Sequence, residues 1–147
     1  MAELLLLEGP AGAGKSQIYR ELMAAGLYQV IADFTAIWAA LGNYSRDPET
    51  GLYPVRLATD ALVTSGIVAY IQAATVRQAL RNELNTIVTT SQAGQAERWQ
   101  AVADEHGADL TVDTIDPGSR VVRERLRAQN NGEMLDECEA ALQRWYG

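Results

Sequence analysis

The sequence predicts an α/β fold in which a parallel sheet of about four or five strands forms the middle of three layers, between helices. Two observations predict it. Apolar runs of strand length alternate with helically periodic segments, and a glycine-rich octet separates the first run from the first such segment. Strands joined through helices pair in parallel by right-handed crossovers. With 147 residues, 48% of them hydrophobic, the chain can fill one core, so we expect a single domain over residues 1–147.

The octet lies between a predicted strand and a predicted helix. Leu4 to Leu7 form a continuous apolar run, typical of a strand buried on both faces, and Ser16 to Ala25 have the spacing of a helix that Gly26 can end. The octet matches the pattern G-x-x-x-x-G-K-[ST] and consists of Gly9-Pro10-Ala11-Gly12-Ala13-Gly14-Lys15-Ser16. Its glycines let backbone N–H groups converge on anionic oxygens, and the new helix points its positive dipole end at them. The sequence therefore indicates a phosphate-binding loop; the alternative is a glycine-rich turn without a ligand.

Lys15 is the only lysine of the chain, and nearly all other basic side chains are arginines. An arginine fork cannot replace a compact ammonium group under phosphates, so this one lysine is what a nucleotide site requires. We expect Lys15 to reach the β- and γ-phosphates of ATP, and Ser16 to provide a hydroxyl ligand for Mg²⁺. The expected nucleotide-binding residues are the whole octet, Gln17 and, from the C-terminal part of the chain, Arg120.

The rest of the chain continues the alternation. Strands are predicted over 28–32, 85–90 and 109–115, and helices over 35–41, 58–84, 93–105 and 119–145. The long helix can be divided at Thr64-Ser65-Gly66, and residues 67–71 within it could instead form a strand. The last helix is interrupted at Asn130-Asn131-Gly132. Residues 43–56 contain two prolines and a glycine and are predicted to be irregular. Long connections of this kind are often functional, and the alternative is an ordinary loop.

Polar residues follow each predicted strand, at the edge of the sheet where ligands of parallel sheets bind. Besides the octet, these are Asp33 after the second strand, Thr89-Thr90-Ser91-Gln92 after the third, and Asp116 with an arginine cluster after the fourth. Asp33 can orient and deprotonate a hydroxyl group, or it can simply cap the helix that follows. The sequence leaves both roles open.

A resemblance to a known family rests on three features of the sequence. They are the octet, Asp33, and the run Val112-Asp113-Thr114-Ile115-Asp116-Pro117 with Arg123 and Arg127 after it. The chain resembles the small P-loop kinases, which include nucleotide, polynucleotide and gluconate kinases and zeta-toxin-like phosphotransferases. The resemblance covers most of the chain and implies a three-layer P-loop NTPase fold that uses ATP and Mg²⁺. It implies catalytic roles for Lys15, for Asp33 at the acceptor hydroxyl, and for Arg123 and Arg127 on a lid. One departure is that the predicted third strand ends in threonines instead of a Walker B aspartate, which leaves Mg²⁺ to Ser16, phosphates, water and either Asp33 or Thr90.

The arginine cluster lies on a predicted helix. Arg120, Arg123 and Arg127 fall on one face of this helix, while Arg125 points elsewhere. Planar guanidinium groups suit the spread charge of a moving phosphoryl group, and a lid that carries them can close over a nucleotide. The alternative is a solvated helix face with Glu124 as a local partner. The position after the last predicted strand favours the lid.

Composition and charge exclude some functions. The net charge of −7 argues against broad binding to duplex nucleic acid. The four leucines between Glu3 and Glu8 are too few for a signal peptide or a membrane span, so we expect a cytoplasmic protein. The leading hypothesis is an ATP-dependent kinase that phosphorylates a hydroxyl or phosphate of a small molecule, a nucleotide or a nucleic-acid end. The alternative is a P-loop ATPase that acts as a switch or assembly factor and phosphorylates no acceptor.

Overall fold

The computed structural model describes residues 1–46, 48–49, 60–129 and 135–147. Most of the irregular segment 43–56, the start of the helix predicted at 58 and the break at Asn130-Asn131-Gly132 lie outside the described residues. The strands are β1 (Glu3–Glu8), β2 (Val30–Ala32), β3 (Thr86–Thr90) and β4 (Asp109–Thr114). The helices are α1 (Lys15–Ala24), α2 (Phe34–Gly42), α3 (Ala61–Thr64), α4 (Ile67–Arg81), α5 (Ala96–Glu105), α6 (Ser119–Gln129) and α7 (Leu135–Tyr146).

The sheet is parallel throughout its described part. Its four strands there have the order β2-β3-β1-β4, so that β1 pairs with both β3 and β4. In the register, Leu5 of β1 lies opposite Ile87 of β3 on one side and Thr111 of β4 on the other. The predicted α/β fold, with a parallel sheet flanked by helices, is confirmed.

The leucine run of β1 forms the centre of the core because β1 lies between two other strands and has helices on both faces. Leu4 and Leu6 are fully buried and belong to a cluster with residues of α4 and α5. Leu5 and Leu7 alternate to the other face, where they cluster with Tyr19 of α1. Helices therefore cover the sheet from both sides, as a strand that is apolar at every position requires. None of the described helices has the length and apolar character needed to cross a lipid bilayer.

The long predicted helix is divided at Gly66, whose φ of 80° is left-handed backbone that ends α3. The strand alternative for 67–71 was wrong, because these residues begin α4. The burial pattern of these residues fits a helix, because Val68 is buried against Trp38 whereas Tyr70, two residues later, is exposed. The apolar residues here follow a helical period and not the alternation of a strand.

The carboxyl ends of β1, β3 and β4 meet at Gly9. Its N–H donates to the carbonyl oxygen of Thr90 (3.2 Å), and the Ile115 N–H donates to the carbonyl oxygen of Glu8 (2.7 Å). A side chain at Gly9 would overlap the carbonyl oxygen of Ile115. Glycine is thus required here by the close approach of two backbones, in addition to the role that the octet pattern gives it.

Gly9→Ala is expected to destabilise the fold by about 1–3 kcal/mol, because the new methyl group meets backbone atoms that cannot move away alone. Urea unfolding followed by circular dichroism measures this loss. An unfolding midpoint equal to that of the unsubstituted protein would show that the ends of β1 and β4 separate at little cost.

Candidate active site

The phosphate-binding loop connects β1 to α1. The Ala13 N–H donates to the carbonyl oxygen of Pro10 (3.1 Å), which closes a turn, and Gly12 and Gly14 have φ angles of 81° and 100°. These left-handed conformations favour glycine and bring the chain directly into α1, which begins at Lys15. The N–H groups of the first helical turn, which includes Ser16 and Gln17, have no partner within the helix and can bind an anion.

The Lys15 ammonium group ties this loop to the loop that follows β3. Its Nζ donates to the carbonyl oxygens of Gly9 and Pro10 and to the Ser91 hydroxyl, the last at 2.9 Å. Burial lowers the pKa of Lys15 to about 8; the Asp33 carboxylate opposes this effect and the Arg144 guanidinium adds to it. An anion in the loop would offset both influences that lower this pKa, namely burial and the positive charge of Arg144.

Asp33 lies in the N-cap position of α2, yet its carboxylate does not cap that helix. It accepts hydrogen bonds from the Tyr19 hydroxyl (2.8 Å) and the Thr89 hydroxyl (2.9 Å). The Phe34 N–H donates instead to Thr89 Oγ1, at 3.2 Å. The cap is therefore supplied by β3, and Asp33 faces α1 and the Lys15 charge. Burial raises the pKa of the Tyr19 hydroxyl, and the charge of Asp33 and the hydrogen bond to it raise this pKa further.

Thr89 is itself held in place by α4. The buried Gln72 side chain donates from Nε2 to the carbonyl oxygens of Ala32 and Thr89, both at 2.9 Å. It bridges the ends of β2 and β3, directly before Asp33. The position of the carboxylate is thus fixed by side chains from α1 and β3 and by a buried amide from α4.

The predicted lid arginines lie on α6, but their described contacts are with glutamates. Arg120 pairs with Glu124 at 3.4 Å and is 91% exposed, and Arg123 pairs with Glu139 of α7 at 3.2 Å. Arg127 is exposed. The structure does not bring these three arginines together with Lys15.

Arg125 is the α6 arginine that contacts the phosphate-binding loop. Its Nη1 donates to the carbonyl oxygen of Gly12 at 3.0 Å. The neighbouring Leu126 is buried in a cluster with Val122, Ala141 and Leu142, against which Ala11 of the loop packs. Helices α6 and α7 therefore cover the loop as a packed pair.

Several residues around the site could not be identified from the sequence. Tyr19, Gln72, Arg125 and Arg144 come from helices in which they look like ordinary surface or core positions. Ser91 was noted only for its place after β3. The available signal was the parallel sheet, which brings the residues after β2 and β3 next to the loop after β1.

Magnesium would need oxygen ligands here. Ser16 and Asp33 supply the hydroxyl and carboxylate oxygens that Mg²⁺ prefers. Thr90 Oγ1 is engaged in a turn, where it accepts from the Gln92 N–H at 3.2 Å. Within the described part of the chain there is no group of three or more His, Cys, Asp or Glu residues that could hold a metal. The donor set fits an ion that is shared with phosphate oxygens.

The pH dependence of nucleotide binding follows from Lys15. The charged groups that face it are Asp33 after β2 and Arg144 of α7. Since its pKa is about 8 and phosphates favour the ammonium form, nucleotide affinity is expected to be highest below pH 8. Above pH 8 it should fall by up to about tenfold per pH unit, because binding must first restore the proton.

Calorimetric titration with Mg-ADP from pH 6.5 to 9.5 checks this dependence. Lys15→Ala is the control, since it should bind weakly without a break near pH 8. Equal affinity at pH 7 and 9.5 in the parent protein would contradict the assignment of Lys15 to the phosphates.

Comparisons with known proteins agree with the observed fold. A family model described as AAA domain matches residues 4–145. A search of curated proteins finds no significant match. Among solved structures, a candidate kinase from Chloroflexus aurantiacus J-10-fl is 18% identical with a TM-score of 0.69, over 99% of this chain and 80% of that chain.

Two further structures have the same fold. A chain of the Pnkp1/Rnl/Hen1 RNA repair complex is 18% identical, with a TM-score of 0.66. The match covers 99% of the present protein but only 44% of that longer chain. A gluconokinase from Sinorhizobium meliloti 1021 is 14% identical with a TM-score of 0.57, over 98% of this chain and 74% of that chain. The chain has the fold of the small P-loop kinases, and the family model matches nearly its whole length. The chain therefore belongs to the AAA domain family.

Proposed function

We propose that this protein is a cytoplasmic, ATP-dependent kinase that transfers the γ-phosphate to a hydroxyl or phosphate of a small molecule, a nucleotide or a nucleic-acid end. The observation that carries the proposal is the position of the Asp33 carboxylate, whose charge acts on Lys15. The carboxylate is held by Tyr19 and Thr89 next to the phosphate-binding loop, and it does not cap its own helix. A phosphate site with an oriented carboxylate beside it is what transfer to a hydroxyl group requires.

Phosphoryl transfer needs positioning and charge neutralisation more than covalent chemistry. The N–H groups of the loop and the first turn of α1 bind phosphate oxygens, and the Lys15 ammonium group neutralises their charge. Ser16 would hold Mg²⁺, which supplies further charge neutralisation when it is bound with ATP. The two hydrogen bonds to Asp33 fix its rotamer, so that a free lone pair can orient the acceptor hydroxyl and take its proton at Oδ1 or Oδ2.

The α6 arginines are the proposed lid. Arg123 and Arg127 would act in transfer and Arg120 in nucleotide binding after a movement of α6, which separates Arg123 from Glu139. Surface pairs of this kind contribute little to stability, at most about 1 kcal/mol, so exchange of the glutamate for a phosphate is not costly. Structural similarity to a gluconokinase and to a chain of an RNA repair complex supports transfer as the reaction class.

A screen with γ-³²P-ATP tests the proposal. The acceptors are nucleosides, nucleotides, sugars including gluconate, and oligonucleotides with a 5′-hydroxyl group. The expected result is label on one acceptor class, lost in Asp33→Asn and retained in Asp109→Asn, which changes an exposed aspartate at the far end of β4. Release of free phosphate on addition of a macromolecule, without a labelled acceptor, would favour the switch or assembly ATPase.

A further inference from the structure

The Arg144 side chain is partly buried near the end of α7. Its Nε and one terminal nitrogen, Nη2, are buried and have no hydrogen-bond partner in the described part of the chain. A guanidinium group has five N–H donors, and leaving buried ones unsatisfied carries the desolvation cost of a charged group. A buried polar group without a partner is rare in folded proteins, and a bound ligand or ion is one explanation for it.

The position of Arg144 is fixed from both sides along α7. Before it, Glu139 pairs with Arg123, and Ala141 belongs with residues of α6 to the cluster against which Ala11 of the phosphate-binding loop packs. After it, the Tyr146 hydroxyl donates to Asp116 Oδ1 at 2.5 Å. Ala141 and Arg144 are one helical turn apart, so the guanidinium group lies on the face of α7 that contributes Ala141 to this cluster.

Arg144 and Lys15 both lie at the carboxyl edge of the sheet, because Lys15 follows β1 and Tyr146, two residues after Arg144, contacts Asp116 after β4. The Arg144 charge contributes to the lowered pKa of Lys15, and burial lowers the pKa of Arg144 as well. Lys15 has the Asp33 carboxylate as a counter-charge, whereas Arg144 takes part in no ion pair among the described residues. Two desolvated like charges repel each other, and an anion between them removes both the repulsion and the unsatisfied donors.

We propose that Arg144 is a phosphate-binding residue, whose guanidinium group and the Lys15 ammonium group hold the phosphates of the same bound nucleotide. The proposal rests on the nucleotide site of the proposed function and adds a residue from α7 to it. A guanidinium fork suits this place because it can donate two parallel hydrogen bonds to phosphate oxygens, while Lys15 contributes a point charge. Nucleotide binding would then also fasten α7 onto the loop.

The experiment uses Mg-ADP, so that no acceptor or transfer is needed. Arg144→Gln is expected to weaken Mg-ADP binding by about 10- to 100-fold, the range for hydrogen bonds between charged groups. Arg144→Lys, which keeps a charge without the fork, should fall between Arg144→Gln and the parent. Arg81→Gln, which changes an exposed arginine at the end of α4, is the matched control and should bind as the parent does.

A second measurement separates a phosphate-site role from a packing role. Without nucleotide, thermal unfolding of Arg144→Gln should occur at the parental temperature or above it, because the substitution removes buried donors that have no partner. A packing role predicts a lower unfolding temperature instead.

The outcomes distinguish this inference from the proposed function. The inference is overturned if Arg144→Gln binds Mg-ADP within twofold of the parent. If Arg144→Gln does not fold, the same criterion applies to Arg144→Lys. Weaker Mg-ADP binding by Arg144→Gln, together with a lower unfolding temperature without nucleotide, would also overturn it. Tight Mg-ADP binding that depends on Arg144, together with no labelled acceptor in any screen, would support the inference and contradict the kinase.

Discussion

Asp33→Asn is expected to lower phosphoryl transfer about 10²- to 10⁴-fold, the usual contribution of a positioned general base. Asparagine keeps the size of the side chain and an oxygen that can accept from Tyr19 or Thr89, so the site should keep its shape. Nucleotide affinity should change little, because the carboxylate serves the acceptor. Steady-state kinetics with the labelled acceptor, and calorimetry with Mg-ADP, measure the two effects.

Two controls accompany this variant. Tyr19→Phe removes one of the two hydrogen bonds that orient Asp33 and should lower transfer by a smaller factor than Asp33→Asn. Asp109→Asn, at the opposite end of the sheet, should have no effect. Unchanged transfer in Asp33→Asn with a lower unfolding temperature would show that Asp33 only joins α1 to β3.

Lys15→Ala is expected to abolish measurable transfer, with a loss of at least about 10²-fold, because a charged donor aimed at the reacting phosphates is removed. The fold should remain intact. The pKa of Lys15 in the fold, about 8, is below the unfolded value of about 10.4, so at pH 7 folding disfavours its charged form. Thermal unfolding of Lys15→Ala at pH 7 should therefore be at the parental temperature or above it.

Lys15→Arg is the matched variant, since it keeps the charge in a different shape. It should also be strongly impaired, because a planar fork does not fit the space under the loop carbonyls. Transfer at the parental rate by either variant would remove the phosphate-binding loop from the mechanism.

The sequence was sufficient to predict the elements whose signals are local. The leucine run, the octet and the helix at Lys15 follow one another within 25 residues, and all three lie where they were predicted. The carboxyl edge of the sheet could also be predicted, since alternating strands and helices give a parallel sheet. Asp33, Ser91 and the octet therefore meet as that topology requires.

Contacts between distant helices could not be predicted. A helical period shows which arginines share a face of α6, but which face meets the loop depends on packing with α7. That packing places Arg125 on Gly12 and pairs Arg123 with Glu139. Similarly, the sequence left open whether Asp33 caps its helix, and in the structure a threonine 56 positions away on β3 takes that role. Tertiary contacts decide such competitions, and a single sequence does not contain them.

The most direct test of the central claim is the ratio of phosphorylated acceptor to ADP, measured in one reaction once the labelled acceptor is known. The account predicts slow ATP consumption alone, a strong increase with the acceptor, and one phosphorylated product for each ADP formed. ADP and free phosphate in equal amounts, with no phosphorylated acceptor at any acceptor concentration, would contradict it.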